Sequence, residues 1–334
     1  MELFLYFGVV VGIAATWVAT RKWIRKAPEV GLLGRDMNKP DKPQVPEMGG
    51  VSIVFGFVLG VLAYIGLQTF GMGATSYTPI LAALCTVLMA CIIGIMDDVL
   101  GWKAGLRQWQ KPIFMLFAAM PMMVINAGHS TMGLPIVGPL ELGILYPLLI
   151  VPIGIVGASN AFNMVAGYNG LESGLGVIIL STMGYVAISR GEEDAAVLAF
   201  IMVGALMAFL YFNWYPAKVF PGDTMTYSVG TLMACVAILG NMEKIAVLLF
   251  LPYGLDFFLQ ARGRFKREAF AGVNEDGSLE KPFKSIFHLT HLSIAALMRV
   301  KGTVREREVV LFMYGMELAI VGLIYILYLR TEQL

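Results

Sequence analysis

Residues able to do chemistry recur in five short clusters of this sequence. The first is Gly34-Arg35-Asp36-Met37-Asn38-Lys39-Pro40, continuing to Pro46-Glu47-Met48-Gly49-Gly50. The second is Asp97-Asp98-Val99-Leu100, followed by Lys111. The third runs from Asn160 through Asn163, Gly167, Asn169 and Gly170 to Glu172. The fourth runs from Asn213 through Pro216 and Lys218 to Asp223-Thr224, and the fifth is Arg262-Gly263-Arg264-Phe265-Lys266-Arg267. Together they are an inventory for a divalent cation and phosphate groups. Mg²⁺ takes hard oxygen ligands, typically one or two carboxylates with phosphate oxygens and waters. Lys and Arg hold the remaining phosphate charge, and glycines let backbone N–H groups approach it. His129, His288 and His291 are the whole histidine content, so neither a zinc site nor a Ser–His–Asp triad is expected. Taken singly, each cluster has a plainer use. Asp223 would cap a helix, Asn163 and Asn169 would shape turns, and the basic run at 262–267 would lie on anionic lipid.

The elements that must position these clusters are apolar helices. Of 334 residues, 58% are hydrophobic and 14% charged, with a mean hydropathy of +0.75. An ordinary soluble domain carries roughly 25% charged residues, so a soluble globular enzyme is excluded. Stretches of about 20 apolar residues can cross a bilayer. Ten are expected, at 3–20, 48–70, 79–96, 112–127, 143–162, 173–189, 195–213, 224–241, 244–260 and 309–329. Cys85, Cys91 and Cys235 all fall within them and read as small hydrophobes.

Ten spans divide the connections between two sides. The loops 21–47, 97–111, 163–172, 214–223 and 261–308 carry 21 of the 24 Lys and Arg residues. Basic residues accumulate on the cytoplasmic side. The expected protein is therefore an all-α integral membrane protein of about ten transmembrane helices, both termini outside, with cytoplasmic active-site loops. The chain 1–334 reads as one transmembrane catalytic domain with a cytoplasmic loop at about 261–308, where Asp276-Gly277 signals a hairpin. All five clusters then share one membrane face. Asp97 and Asp98 would end the third span, where the helix dipole disfavours acids, which argues for a functional use.

At these clusters the chain closely resembles the polyprenyl-phosphate N-acetylhexosamine-1-phosphate transferases. It is most similar to their dolichyl-phosphate N-acetylglucosamine-phosphotransferase branch. Asn163-Met164-Val165-Ala166-Gly167-Tyr168-Asn169-Gly170-Leu171-Glu172 resembles that branch's NxxAGxNGLE stretch, and Asn213 to Thr224 its NWYPxxVFxGDT stretch. Asp97-Asp98-Val99-Leu100 resembles DDVL, and Asp36-Met37-Asn38-Lys39 with Pro46-Glu47 resembles DLNK…PE.

The resemblance implies transfer of N-acetylglucosamine-1-phosphate from UDP-N-acetylglucosamine to a polyprenyl (dolichyl) phosphate, releasing UMP. That is the first membrane step of glycan assembly, N-glycans in this branch. It implies Mg²⁺, with Mn²⁺ as an alternative, held by Asp223 and Asn163. Asp97, Asp98 and Lys111 are implied as catalytic, Lys111 holding the lipid phosphate. Arg35, Asp36, Met37, Lys39, Glu47, Asn169 and Glu172 are implied on the nucleotide side. Arg262 and Arg264 match an RxR pair associated with the diphosphate and sugar. The bacterial His-rich loop is not matched, which argues against a muramyl-pentapeptide donor. The implied partners are a UDP-N-acetylhexosamine and a bilayer-borne polyprenyl phosphate, with no nucleic acid and with a homodimer compatible. A plasma membrane of an archaeal or bacterial cell is expected, or the endoplasmic reticulum in a eukaryote. The competing reading is a transporter or flippase for a nucleotide-sugar or lipid-linked sugar. It would place polar residues near the bilayer midplane rather than at one rim.

Overall fold

A computed structural model describes residues 2–73, 76–134 and 138–329. The fold is almost wholly helical, as expected. Eight helices of the described residues are long and apolar enough to cross a membrane. They are α1 (Glu2–Lys26), α2 (Gly50–Met72), α3 (Thr78–Ala104), α6 (Val151–Met164, extended by a π turn at Tyr146–Ile150), α7 (Leu171–Arg190), α8 (Glu193–Asn213), α9 (Gly222–Leu239) and α13 (Glu306–Ile324).

Two expected spans depart from a single helix. The ninth is α10 (Glu243–Leu249) and α11 (Leu251–Arg262), bent by 53°. Pro252 opens α11; a proline has no N–H to continue the preceding helix, so the path breaks there. The fourth is α4 (Gln110–Ala118) and α5 (Met120–Val124), broken before Pro121 for the same reason. The direction of the path is nonetheless that of a crossing. Lys111 at the start of α4 and Met164 at the end of α6 both lie at the site described below. The hairpin β3 (Thr131–Leu134) with β4 (Gly138–Glu141) therefore turns at the opposite end.

The remaining polar elements gather at the site end. One is the hairpin of β1 (Leu33–Arg35) and β2 (Gln44–Pro46), pairing Gly34 with Val45. Another is β5 (Gly272–Val273) with β6 (Leu279–Glu280), the turn expected at Asp276-Gly277. Asp276 accepts hydrogen bonds from the Ser278 N–H (2.9 Å) and hydroxyl (2.6 Å), and Gly277 has φ 77°, so the turn is locally specified. The helix α12 (Leu289–Lys301) completes this layer. Lys26 ends α1 and Glu306 begins α13 on the site side, so the far ends of the first and last helices share the other face.

Glycines set the closest approaches. Gly8 and Gly12 of α1 face Gly56 and Gly60 of α2. A Cβ at Gly56 would stand 2.7 Å from the Gly12 carbonyl, and one at Gly60 2.7 Å from the Gly8 carbonyl. This is the small-residue packing by which helices associate in lipid. The most enclosed helices are α8 and α9, and α9 carries Asp223 into the site from the centre of the bundle.

The two ends of the bundle are chemically accessible at Glu275 and Thr131, both exposed. In a variant lacking Cys85, Cys91 and Cys235, cysteines placed singly at 275 and 131 should react with a membrane-impermeant maleimide from opposite faces of sealed vesicles. Reaction of both from one face would contradict this path of the chain.

Candidate active site at the rim of the bundle

The centre of the site is one ammonium between two carboxylates. Lys111 Nζ lies 2.6 Å from Asp97 Oδ2 and 3.1 Å from Asp223 Oδ2. The local sequence produces this meeting. Asp97 and Asp98 do not end α3 as expected; the helix runs past them to Ala104 and is broken at Gly101, with φ 63° and ψ 174°. Glycine tolerates that conformation. The chain then folds back, and the Leu106 N–H donates to Asp97 Oδ1 at 2.9 Å, which delivers α4 and Lys111 to the carboxylate one turn upstream.

Asp98 turns the other way. Its Oδ1 accepts from the Asp223 N–H at 2.7 Å, and its Oδ2 from the Thr224 N–H at 2.9 Å and the Thr224 hydroxyl at 2.6 Å. A carboxylate from α3 thus caps the N-terminus of α9, where free N–H groups and the helix dipole both favour an anion. Gly222 permits it: a Cβ there would lie 2.6 Å from Asp98 Oδ2. The adjacent acids therefore divide their contacts, Asp97 to Lys111 and Asp98 to the helix that carries Asp223.

Asn163 sits in the last turn of α6, beside Tyr227, one turn along α9 from Asp223. The ring of Tyr227 is 5.8 Å from Lys111 Nζ, so Asn163 joins the same cluster. Among the described residues no group of three or more His, Cys, Asp or Glu converges as a metal cage. Mg²⁺ does not need one, since it keeps waters and substrate phosphates among its ligands. An all-oxygen set, with Asp223 29% exposed at the cavity, fits that habit.

Beside this centre lies a cavity of about 250 Å³. Of the expected nucleotide-side residues, Arg35, Asp36, Met37, Glu47 and Glu172 line it, together with Asp223. Gly167, Phe220, Thr226 and Phe270 complete much of the wall. Burial, with the negative charge of Asp98, pushes the Glu47 carboxyl above the ordinary carboxylate range. Glu172 Oε1 accepts the Gly167 N–H at 2.5 Å and so shapes the turn that walls the cavity.

Asn169 and Lys39 lie behind that wall. Asn169 Nδ2 donates to Asp36 Oδ2 at 3.1 Å, and its Oδ1 accepts the Ala217 N–H at 2.8 Å. Lys39 Nζ is 3.0 Å from Asp36 Oδ2 and also pairs with Glu306. Arg262 and Arg264 are exposed at the end of α11 and do not line the cavity. Gln108 Nε2 donates to the Phe265 carbonyl at 2.8 Å, which ties the turn after this pair to the loop leading to Lys111.

Several residues of the site had no distinguishing mark in the sequence. Glu306 read as one acid in a basic loop, and Phe270 as one aromatic among charges. Glu306 is placed by the start of α13, and Phe270 by the start of α12. His288 Nε2 meets the Arg267 carbonyl at 2.8 Å, and the Thr290 hydroxyl donates to the Ala269 carbonyl at 3.0 Å, which presents Phe270 to the cavity. His291 lies beneath, 1% exposed, with neither ring nitrogen hydrogen-bonded among the described residues.

The sequence matches glycosyl transferase family 4 over residues 80–241, a stretch containing Asp97, Asp98, Lys111, Asn163, Asn169, Glu172 and Asp223. A protein of Saccharolobus solfataricus, provisionally named a UDP-N-acetylglucosamine–dolichyl-phosphate N-acetylglucosaminephosphotransferase, is 34% identical over 314 residues, spanning 92% of each chain. The Dictyostelium discoideum protein of that name is 30% identical over 268 residues, 69% of this chain and 64% of its own. A phospho-N-acetylmuramoyl-pentapeptide-transferase of Shouchella clausii is 36% identical over 217 residues, 62% of this chain and 64% of its own.

Two outcomes follow from the geometry. Asp98→Ala leaves two backbone N–H groups of α9 without their cap, a loss of about 1–2 kcal/mol, and should lower the thermal midpoint in detergent. An unchanged midpoint would show that α9 is held without Asp98. The second concerns acid. Burial, then the charge of His288, holds the His291 ring near a pKa of about 4, against 6.5 when unfolded. Between these values the unfolded chain binds a proton that the folded one refuses. The contribution of His291 to stability is therefore intact above pH 6.5 and falls by about 1.4 kcal/mol per pH unit as pH drops toward 4. Between pH 7 and pH 4.5 the thermal midpoint of His291→Leu should rise relative to that of the wild type as pH falls; a constant difference would remove His291 from the account.

Proposed function

The chain belongs to glycosyl transferase family 4, and from that premise we propose that it transfers N-acetylglucosamine-1-phosphate from UDP-N-acetylglucosamine to a polyprenyl phosphate such as dolichyl phosphate. The observation that carries the reading is the rim constellation: Lys111 between Asp97 and Asp223, opening beside a polar cavity. A nucleotide-sugar is too polar to enter lipid, and the acceptor's chain cannot leave it. A site at the ends of membrane helices admits both. The product would be the first lipid-linked intermediate of a glycan, an N-glycan if the resemblance of its motifs to the dolichyl-phosphate branch extends to the pathway.

In the reaction an oxygen of the acceptor phosphate forms a bond to the sugar-bearing β-phosphorus. The bond from that phosphorus to the bridging oxygen breaks, and UMP leaves with the oxygen. A phosphate monoester has a second pKa of about 6, so near pH 7 the nucleophile is mostly dianionic already. Catalysis then rests on alignment and charge stabilisation. Lys111 holds the acceptor phosphate, and Asp97 orients Lys111. Asp98 fixes the start of α9, and with it Asp223. Arg35, Asp36, Met37, Glu47 and Glu172 face the uridine side from the cavity wall, with Lys39 and Asn169 supporting them. Arg262 and Arg264, beyond the cavity, meet the diphosphate and sugar from the mouth. Bound Mg²⁺ or Mn²⁺ would neutralise donor diphosphate charge, with Asp223 and Asn163 as the residues to hold it. The basic content of the site-side loops supports a cytoplasmic site, in an archaeal or bacterial plasma membrane or the endoplasmic reticulum.

Purified protein in detergent, given UDP-N-acetylglucosamine, a polyprenyl phosphate and Mg²⁺, should release UMP only when the lipid phosphate is present, with the lipid diphosphate sugar seen by mass spectrometry. Chelation should stop the release and Mg²⁺ restore it. Asp223→Asn should lower kcat by roughly 10²–10³-fold, as removal of a group stabilising transition-state charge does. UDP-glucose, lacking the acetamido group, should be a poor donor. Release that ignores the lipid would favour another activity, and an unimpaired Asp223→Asn would remove Asp223 from the metal site.

A further inference from the structure

The buried carboxylate of Glu306 has no part in the reaction above, and its surroundings are unusual for the first turn of a helix. An acid there would ordinarily serve its own helix. In α13 that service falls to Glu308, whose Oε2 accepts the Arg305 N–H at 2.9 Å. Glu306 instead faces away from α13, 3% exposed. One oxygen accepts the Asn169 N–H at 2.8 Å, and the other takes the Lys39 ammonium.

Those two partners converge again. Lys39 Nζ and Asn169 Nδ2 both bind the same oxygen of Asp36, at 3.0 and 3.1 Å. Asp36 lines the cavity and is itself 4% exposed. The neighbouring Asn38 Nδ2 donates to the carbonyl of Gly167, another lining residue, at 2.9 Å. Segments distant in sequence, at 36–39, at 167–169 and at the start of α13, are thus joined around one carboxylate. Arg307 adds a brace from the same turn. Its guanidinium lies 4.5 Å from the Tyr215 ring and donates to the Tyr215 carbonyl at 3.1 Å, while Lys39 approaches that ring to 4.4 Å.

We infer that Glu306 is a positioning residue for donor binding: from behind the cavity wall it fixes Asp36 and the Gly167–Asn169 turn against each other, through Lys39 and the Asn169 amide. Two buried acids share one ammonium here. Removing the second acid leaves Lys39 paired with Asp36 alone, and the turn at Asn169 loses its acceptor charge. The wall shifts where the nucleotide lies, while Lys111 and the acceptor's approach are untouched. The inference rests on the reading of this cavity as the donor site.

The test is Glu306→Gln, of equal size, assayed in detergent with UDP-N-acetylglucosamine and a polyprenyl phosphate. A charge-assisted hydrogen bond weakened to a neutral one corresponds to about a tenfold change in affinity. The KM for the donor and the Kd for UMP, measured by calorimetry, should both rise about tenfold. The KM for the polyprenyl phosphate should not move, and kcat should stay within about twofold. A merely structural role would change both substrates' constants together. Lys39→Met probes the same pair from its other member and should shift the same two constants. The double variant should cost less than the sum of the two single ones, because the Lys39–Glu306 contact is lost in both. Unchanged donor KM and UMP affinity in Glu306→Gln, or parallel shifts for both substrates, overturns the inference. So does failure of both single variants to fold, which would make the network a stability element. A wild-type protein that neither binds UMP nor releases it would instead overturn the functional reading.

Discussion

Two carboxylates can stand side by side at the edge of a membrane only if something holds their charge. Lys111 does so for Asp97 and Asp223. Each of the three comes from a different helix, so the contact also fixes where α3, α4 and α9 meet. Removing one member of such a partly buried group leaves its partners uncompensated, which is far more costly than losing an exposed ion pair. The rest of the rim is arranged around that demand. The break at Gly101 returns the chain so that Lys111 can arrive, and Asp98 takes up the helix end that presents Asp223.

A second layer of polar contacts stands behind the first and has a different character. Asn169, Asp36, Lys39 and Glu306 satisfy one another almost completely, leaving little capacity for a ligand. Glu172 likewise gives one oxygen to the Gly167 N–H. Such networks specify one backbone arrangement when every member is paired. The cavity surfaces that these contacts hold in place include Arg35, Asp36, Met37, Glu47, Glu172, Phe220 and one side of Asp223. Residues of one sequence motif therefore divide between touching the cavity and holding the residues that do.

Much of this was legible in the sequence. Apolar length and the one-sided basic loops gave the bundle and brought the five clusters to one rim, because hydropathy and charge are local quantities. The turn at Asp276-Gly277 was legible for the same reason. Other features depend on which segments meet, which no local pattern states. Glu306 looked like any acid in a charged loop; only the arrival of Lys39 and Asn169 distinguishes it. Asp97 and Asp98 were expected at a helix end as a pair with one use, and instead face different partners one turn before the break. The fourth and ninth spans read as single helices in the sequence because their hydropathy is continuous across Pro121 and Pro252, although proline interrupts the backbone bonding. Arg262 and Arg264 were legible as a pair from the RxR motif, but their exposed place at and just past the end of α11, outside the cavity lining, depends on how α11 packs and is stated by no local pattern.

The short path of α4 and α5 reaches into the surrounding lipid. From Gln110 to Val124 the two helices and Ala119 between them span 15 residues, about 22 Å at 1.5 Å per residue, against a hydrocarbon core of about 30 Å. A span this short is accommodated by thinning of the bilayer, by snorkelling of flanking residues or by association with a neighbour, each at a cost of fractions of a kcal/mol per Å. Lys111 stands at the end of that span. Thinning on this flank would bring the headgroup plane toward the Lys111 ammonium and shorten the path along the membrane normal between that ammonium and a lipid phosphate.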